Sequence, residues 1–169
     1  MNSSVSKKIT VSPLSLDPTL KFLQAAKKSI RIYNQYLNET NVNKALMLAA
    51  ESGVKVEIVV ASVCSFGKPD KKEAEKITAQ YSHFDQLGIK TKMFTVQNTV
   101  GGKPGYMHAK AIVIDDKYAW VGSVNGSHTS FNLNREYGTF LLDESSVEKL
   151  NALMTKDLND PGSETWQES

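Results

Sequence analysis

The stretch Met107–Asn125, MHAKAIVIDDKYAWVGSVN, decides how this chain is read. Its two apolar runs, AKAIVID and YAWVGS, flank Asp116 and Lys117 and predict a β-hairpin. Side chains alternate along a strand, so His108 and Lys110 share one face at its beginning, and Ile112 and Ile114 carry that face into the core. Asp115 has the opposite parity and falls at the turn, where supporting the strand end suits it better than touching a ligand. On the return strand Ser123 and Asn125 again share a face, beside Gly122, where a ligand can approach closely. A buried strand has little use for an imidazole and an ammonium on one face unless something compensates them or is bound by them.

Working outward, SLDPTLKFLQAAKKS predicts a helix that Asp17 caps, with Pro18 at its first position and Leu16, Leu20, Leu23 and Ala26 on one face. SIRIYNQYL follows as a strand with Ile30 and Ile32 alternating. NVNKALMLAAESG places Val42, Ala45, Leu46, Ala49 and Ala50 at helical spacing and ends at Gly53. VKVEIVVAS is apolar on both faces at its core end, as a central parallel strand is. Asp70 caps the next helix, whose inner face is Ala74, Ile77, Tyr81, Phe84 and Leu87, closed by Gly88. IKTKMFTV is a further strand, and QNTVGGKPGY reads as the most flexible loop. Its GGKPG lacks the spacing of a phosphate-binding loop. REYGTFLL is one more strand, SVEKLNALMTKDL a closing helix with Val147, Leu150, Met154 and Leu158 inward, and NDPGSETWQES a loose polar tail. Helix and strand alternate three times, then come strands, then a helix. That order predicts an α/β fold, a mixed β-sheet flanked by helices on both faces, in one domain over residues 1–169.

Composition narrows the function only a little. A net charge of +2 is too small to argue for nucleic acid, and acidic neighbours dilute the basic pairs Lys7/Lys8, Lys27/Lys28, Lys71/Lys72 and Lys90/Lys92. No run approaches the ~20 apolar residues of a membrane span. The amino terminus has no apolar stretch of a secretory signal, so the cytoplasm is the default expectation, with export left open. Cys64 is the single cysteine, which excludes an internal disulfide and a multi-cysteine metal site; after VEIVVAS it reads as a small buried residue.

Imidazole, ammonium, hydroxyl and amide together suit a phosphate. Lys110 supplies charge, Ser123 and Asn125 supply neutral donors, and His108 can attack phosphorus or move a proton. A carboxylate reaching the far nitrogen of His108 would fix its tautomer, and Glu136 is the best candidate. His-x-Lys alone is common and usually without meaning. The joint spacing His-x-Lys-x4-Asp-x6-Gly-Ser-x-Asn is far harder to reach by accident.

HAKAIVID followed by GSVN resembles the signature of the phospholipase D superfamily. VSP, AAKKSIRIYNQYL, NKALMLAAESGVKVEIVVAS and NREYGTFLLD also resemble the corresponding parts of these proteins, so the likeness covers roughly residues 11–158. The resemblance implies a phospholipase D-like α/β/α sandwich and a metal-independent phosphodiesterase with no cofactor. In it His108 would form a phosphohistidine or act as its acid/base counterpart, Lys110 and Asn125 would hold phosphoryl oxygens with Ser123 assisting, Glu136 would orient His108, and Asp115 would be the family's conserved aspartate. The family needs two such motifs facing each other, and this chain has one, since neither His83 nor His128 is followed by a lysine two residues on. His83 reads as a surface residue, and His128 as a loop residue that could border the pocket. A homodimer with a two-fold axis through the active site meets the requirement, as would a longer two-motif protein of which this is half. The substrate stays open between a phospholipid, by phospholipase D-type hydrolysis or transfer, and DNA or RNA. The former is favoured, because HAKAIVID and the FNLNREYGTFLLD stretch look closer to the cardiolipin-synthase-like branch than to the small nucleases. A non-catalytic phosphate-ligand-binding module is the third reading.

Overall fold

The computed structural model describes residues 8–62, 70–95, 97–100 and 102–166, so the readings of Lys7 and Cys64 lie outside the described residues. In chain order the elements are β1 (Ile9–Val11), α1 (Leu16–Gln24), β2 (Ser29–Asn34), α2 (Thr40–Glu51), β3 (Lys55–Ala61), α3 (Lys71–Gln86), β4 (Lys90–Phe94), β5 (Thr99–Val100), β6 (Lys103–Pro104), β7 (Ala111–Ile114), β8 (Tyr118–Gly122), α4 (His128–Asn132), β9 (Tyr137–Leu141) and α5 (Glu144–Leu158). Among the described residues seven strands form one mixed sheet in the order β1-β9-β8-β7-β2-β3-β4. β2, β3 and β4 run parallel, as their intervening helices require, and β7 joins them antiparallel to β2. The predicted hairpin is β7–β8, and β8–β9 and β9–β1 continue antiparallel.

Period-two alternation sorts the sheet into two cores. Ile30, Ile32, Val56, Ile58, Ile112 and Ile114 face Leu23, Leu46 and Phe84 of the first three helices. Tyr33, Val59, Ala61, Ala111 and Val113 face Val147, Met154 and Leu158 of α5. Helices therefore cover both faces, as the sequence pattern predicts, and each fully buried Ile or Phe contributes about 1.5–3 kcal/mol. Glu57 breaks the apolar reading of β3. It is buried, and its carboxylate is held by Arg31 Nε at 2.8 Å and Lys55 Nζ at 2.6 Å. Burial alone would raise its pKa, but these two cations outweigh it and hold the carboxyl below its ordinary value.

Gly53 and Gly88 close their helices at positive φ, and the Asp70 side chain caps α3 through the Glu73 amide at 2.8 Å, as predicted. Four local expectations are corrected. α1 starts one residue before Asp17, with Ser15 at the cap position and its hydroxyl bonded to Ser12; Asp17 instead pairs with Lys21 at 2.8 Å. Pro18 still lies in the first turn, where its missing N–H leaves nothing unpaired. The loop after β4 contains the β5–β6 hairpin, anchored by buried Asn98, which accepts from the Thr95 amide (2.8 Å) and donates to Ser163 Oγ (2.9 Å). The tail docks on β4: Met93 N donates to Glu164 O at 2.7 Å and Glu164 N to Met93 O at 3.0 Å, with the Trp166 indole on Asp85. His128 opens α4 and is not in a loop. Among the described residues no helix is long and apolar enough to cross a membrane.

The antiparallel half depends on one close approach. Gly122 and Gly138 pair across β8 and β9, and the buried Trp120 ring lies over both while its indole N–H donates to Thr10 Oγ1 at 2.9 Å. A Cβ on Gly138 would run into that indole. Gly138→Ala is therefore expected to lower stability by about 1–3 kcal/mol through overpacking. Urea titration should show a lower midpoint with an unchanged slope, and an unshifted midpoint would show that the ring moves aside freely.

Candidate active site

The segment 105–110 leads into β7 without strand geometry of its own. The ladder nevertheless reaches Lys110, whose carbonyl accepts the Gly122 amide at 3.1 Å. Lys110 therefore shares the face of Ile112 and is buried, 6% exposed, whereas His108 is exposed. The Lys110 ammonium donates to the His108 carbonyl at 2.6 Å. Burial pushes the Lys110 pKa down, and the nearby Glu136 carboxylate works against that push without cancelling it.

Across the ladder, Ser123 N donates to Tyr137 O at 2.9 Å, and Ser123 Oγ accepts from Tyr137 N at 3.2 Å. That hydroxyl donates to Glu136 Oε2 at 2.5 Å, and the other Glu136 oxygen accepts from Asn134 Nδ2 at 3.0 Å. Both oxygens of Glu136 are thus occupied by Ser123 and Asn134, not by His108. Asn125 donates from Nδ2 to Tyr36 OH at 3.5 Å, and its Oδ1 is buried with no partner. A buried acceptor left so costs about 1–3 kcal/mol unless something comes to satisfy it.

Lys110, Ser123 and Glu136 therefore gather at one end of the β7–β8–β9 ladder, with Asn125 on the loop beyond it, and the exposed His108 joins them through its backbone carbonyl on Lys110 Nζ. Asp115 stands at the other end of β7. Its carboxylate accepts the amides of Lys28 (2.7 Å), Lys27 (3.0 Å) and Ser29 (3.0 Å), and its own amide donates to Ser29 O at 2.9 Å. Asp115 and Asp116 turn the hairpin at φ 55° and 56°, a conformation that aspartate tolerates better than most residues. His83 is exposed on α3. His128 places Nδ1 3.5 Å from Glu39 Oε2 and lines a groove of about 770 Å³ with residues of α3, among them Lys72, Lys76 and Gln80.

Sequence reading passed over the residues that buttress this cluster. Asn34, buried at the end of β2, accepts the Gly126 amide at 3.0 Å, and Gly126 O accepts the amides of Asn38 (2.7 Å) and Glu39 (2.8 Å). The motif's loop is thereby strapped to the connection between β2 and α2. The polar run YNQY at the carboxyl end of an apolar strand was the available signal, because ligand sites of open sheets collect there. Among the described residues no group of three or more His, Cys, Asp or Glu side chains is placed to hold a metal ion.

Fold and motif together place the chain among phospholipase D-like proteins. It matches the family described as "Cardiolipin synthase, PLD-like domain" over residues 19–158, and so belongs to the phospholipase D superfamily. A cardiolipin synthase of Listeria monocytogenes is 30% identical over 140 residues, covering 82% of this chain and 27% of that protein. The chain thus spans about a quarter of the length of the curated relatives it matches. In fold it is similar to the phospholipase D family member Nuc from Salmonella typhimurium, with a TM-score of 0.75 at 20% identity over 94% of this chain and 95% of that one. NucT from Helicobacter pylori gives a TM-score of 0.72 at 22% identity over 89% and 93% of the two chains.

The Asp115 contacts carry a stability expectation. Partial burial by itself raises its pKa, but the amides of Lys28, Ser29 and Lys27 and the Lys28 charge more than reverse this, so the folded carboxyl titrates below its ordinary value. A depressed carboxyl stabilises the fold above its unfolded pKa and loses that contribution as pH falls through the folded one. Asp115→Ala is expected to cost about 1–2 kcal/mol at neutral pH. The gap between wild type and variant should narrow from about pH 4 downward. Denaturation curves across that range check it; a gap constant with pH would detach the effect from the carboxylate.

Proposed function

We propose that the protein is a metal-independent phosphodiesterase in which His108 is the nucleophile. The observation that carries this reading is the meeting of Lys110, Ser123 and Glu136 at one end of the ladder, with the exposed His108 joined to Lys110 through its carbonyl, in the spacing of the superfamily's motif. The Lys110 ammonium and the Asn125 amide would neutralise and orient the phosphoryl oxygens. An imidazole nitrogen of His108 attacks phosphorus, an N–P bond forms, and the P–O bond to the leaving group breaks. The departing oxygen needs a proton, and one imidazole cannot stand on both sides of phosphorus. A second copy supplies it from its own His108 across a two-fold axis. Water or an alcohol then attacks phosphorus, gives its proton to that second imidazole, and breaks the N–P bond. Glu136 offsets the Lys110 charge and fixes Ser123, and Asp115 acts from a distance by holding β7 in place.

A phospholipid is the substrate class this reading favours, by hydrolysis or head-group transfer. Its support is the family match and the identity to cardiolipin synthases. The second reading is cleavage of nucleic acid. Its support is the likeness in fold to Nuc and NucT. Parallel turnover assays on phosphatidylcholine, cardiolipin-type lipids and single- and double-stranded nucleic acid separate the two, and turnover of none of them overturns the proposal.

His108→Ala should leave the fold intact and lower turnover by about a thousandfold or more, in excess chelator as in buffer. Activity kept within about tenfold would remove His108 from the chemistry, and activity that returns only with a divalent ion would require a different mechanism.

Sedimentation under assay conditions should find active dimers. A strictly monomeric protein that still turns over would defeat the shared site.

A further inference from the structure

The imidazole of His108 is held by neither of the devices expected of it. It precedes β7, so no strand ladder sets its direction, and Glu136 is engaged by Ser123 and Asn134. The contact the structure gives its ring is with Tyr106, two residues earlier: the rings are stacked, 6.0 Å between centroids and 22° between planes. Offset aromatic pairs at such separations are favourable, and an imidazolium gains further from an aromatic face.

Tyr106 is itself fixed. Its hydroxyl accepts from Gln35 Nε2 at 2.9 Å, and the Gln35 carbonyl accepts the Ala61 amide at 3.1 Å. The tyrosine ring is thus tied to the carboxyl ends of β2 and β3. The backbone beneath it is pinned as well. Gly105 N donates to Asn98 O at 2.7 Å, and a Cβ on Gly105 would lie 2.7 Å from the Phe94 ring, so the segment passes close against the body there. Met107 is buried in the core shared with α5, while Tyr106 and His108 on either side of it are exposed.

We propose that Tyr106, held by Gln35, is a positioning residue that sets the plane of the His108 imidazole toward phosphorus. This rests on the reading of His108 as nucleophile. An imidazole free to swing presents its nitrogen to phosphorus for only part of the time, and a misplacement of about 1 Å can cost about a hundredfold in rate. The stack contacts no phosphoryl oxygen, so its loss acts on kcat more than on KM.

The experiment compares Tyr106→Leu, Tyr106→Phe and Gln35→Ala in the 169-residue chain. Tyr106→Leu is expected to lower kcat about tenfold or more with KM within about twofold. Tyr106→Phe, which keeps the ring, should recover kcat to within about threefold, and Gln35→Ala should fall between them. A readout that needs no turnover is the proton NMR of the His108 ring, assigned by its absence in His108→Gln. Tyr106→Leu should shift those resonances by removing the tyrosine ring current, and Tyr106→Phe should largely keep them. Equal kcat in Tyr106→Leu and wild type, or His108 resonances indifferent to that substitution, overturns the proposal. Wild-type protein that turns over neither lipid nor nucleic acid refutes His108 as nucleophile instead, while the NMR comparison still decides whether Tyr106 holds the ring.

Discussion

The register of β7 against β2 is the constraint on which the rest of the molecule depends. This antiparallel pairing, Ile30 with Ile114 through Tyr33 with Ala111, joins the parallel half of the sheet to the antiparallel half. A slip of one residue would exchange the faces of Lys110 and Ile112 with those of Ala111 and Val113. Lys110 would then point among the side chains of α5, away from Ser123 and Glu136. Asp115 is the pin against that slip. Three successive backbone amides, from Lys27 to Ser29, fit its carboxylate in one register only. A residue at one end of a four-residue strand thereby decides what the other end presents.

The same logic explains why so much of the architecture could be read from the residues. Alternation in β2 and β7, the two-faced apolar run of β3 and the helical spacing in α2, α3 and α5 are all enforced by burial, and burial leaves periods in sequence. What burial does not enforce was missed. β1 spans three residues and α4 five, too few to show a period. The β5–β6 hairpin is held by Asn98, and the tail by backbone pairing with Met93, neither of which requires an apolar repeat. At α1 a good local cap, Asp17, gave way to Ser15, whose hydroxyl bonds Ser12 three residues earlier and caps no helix amide.

The candidate site divides in the same way. His108, Lys110, Ser123 and Asn125 announce themselves by chemistry in a strict spacing. Asn34, Gln35, Tyr36 and Tyr106 are ordinary residues in sequence, and they acquire their place only when the end of β2 comes beside the segment preceding β7 and the loop following β8. The Glu136 carboxylate shows the limit of parity reasoning. Its position beside the cluster follows from the strand pattern, but its choice of Ser123 and Asn134 as partners depends on the turn into β9.

The pairing of Glu164 with Met93 bears on how the molecule behaves in company. Among the described residues β4 is the last strand of the sheet, and an uncovered last strand offers a row of free amides and carbonyls to any other chain. The segment after α5 occupies part of that row, and the Lys92 ammonium, bonded to Ser163 O at 3.2 Å, adds charge to the same rim. At the opposite margin β1 is too short to recruit a stranger readily. Residues 159–166 lie beyond the stretch that matches the family, yet they blunt the margin at which sheets of neighbouring molecules would otherwise fuse. A chain trimmed to the shared stretch would keep its motif and become sticky.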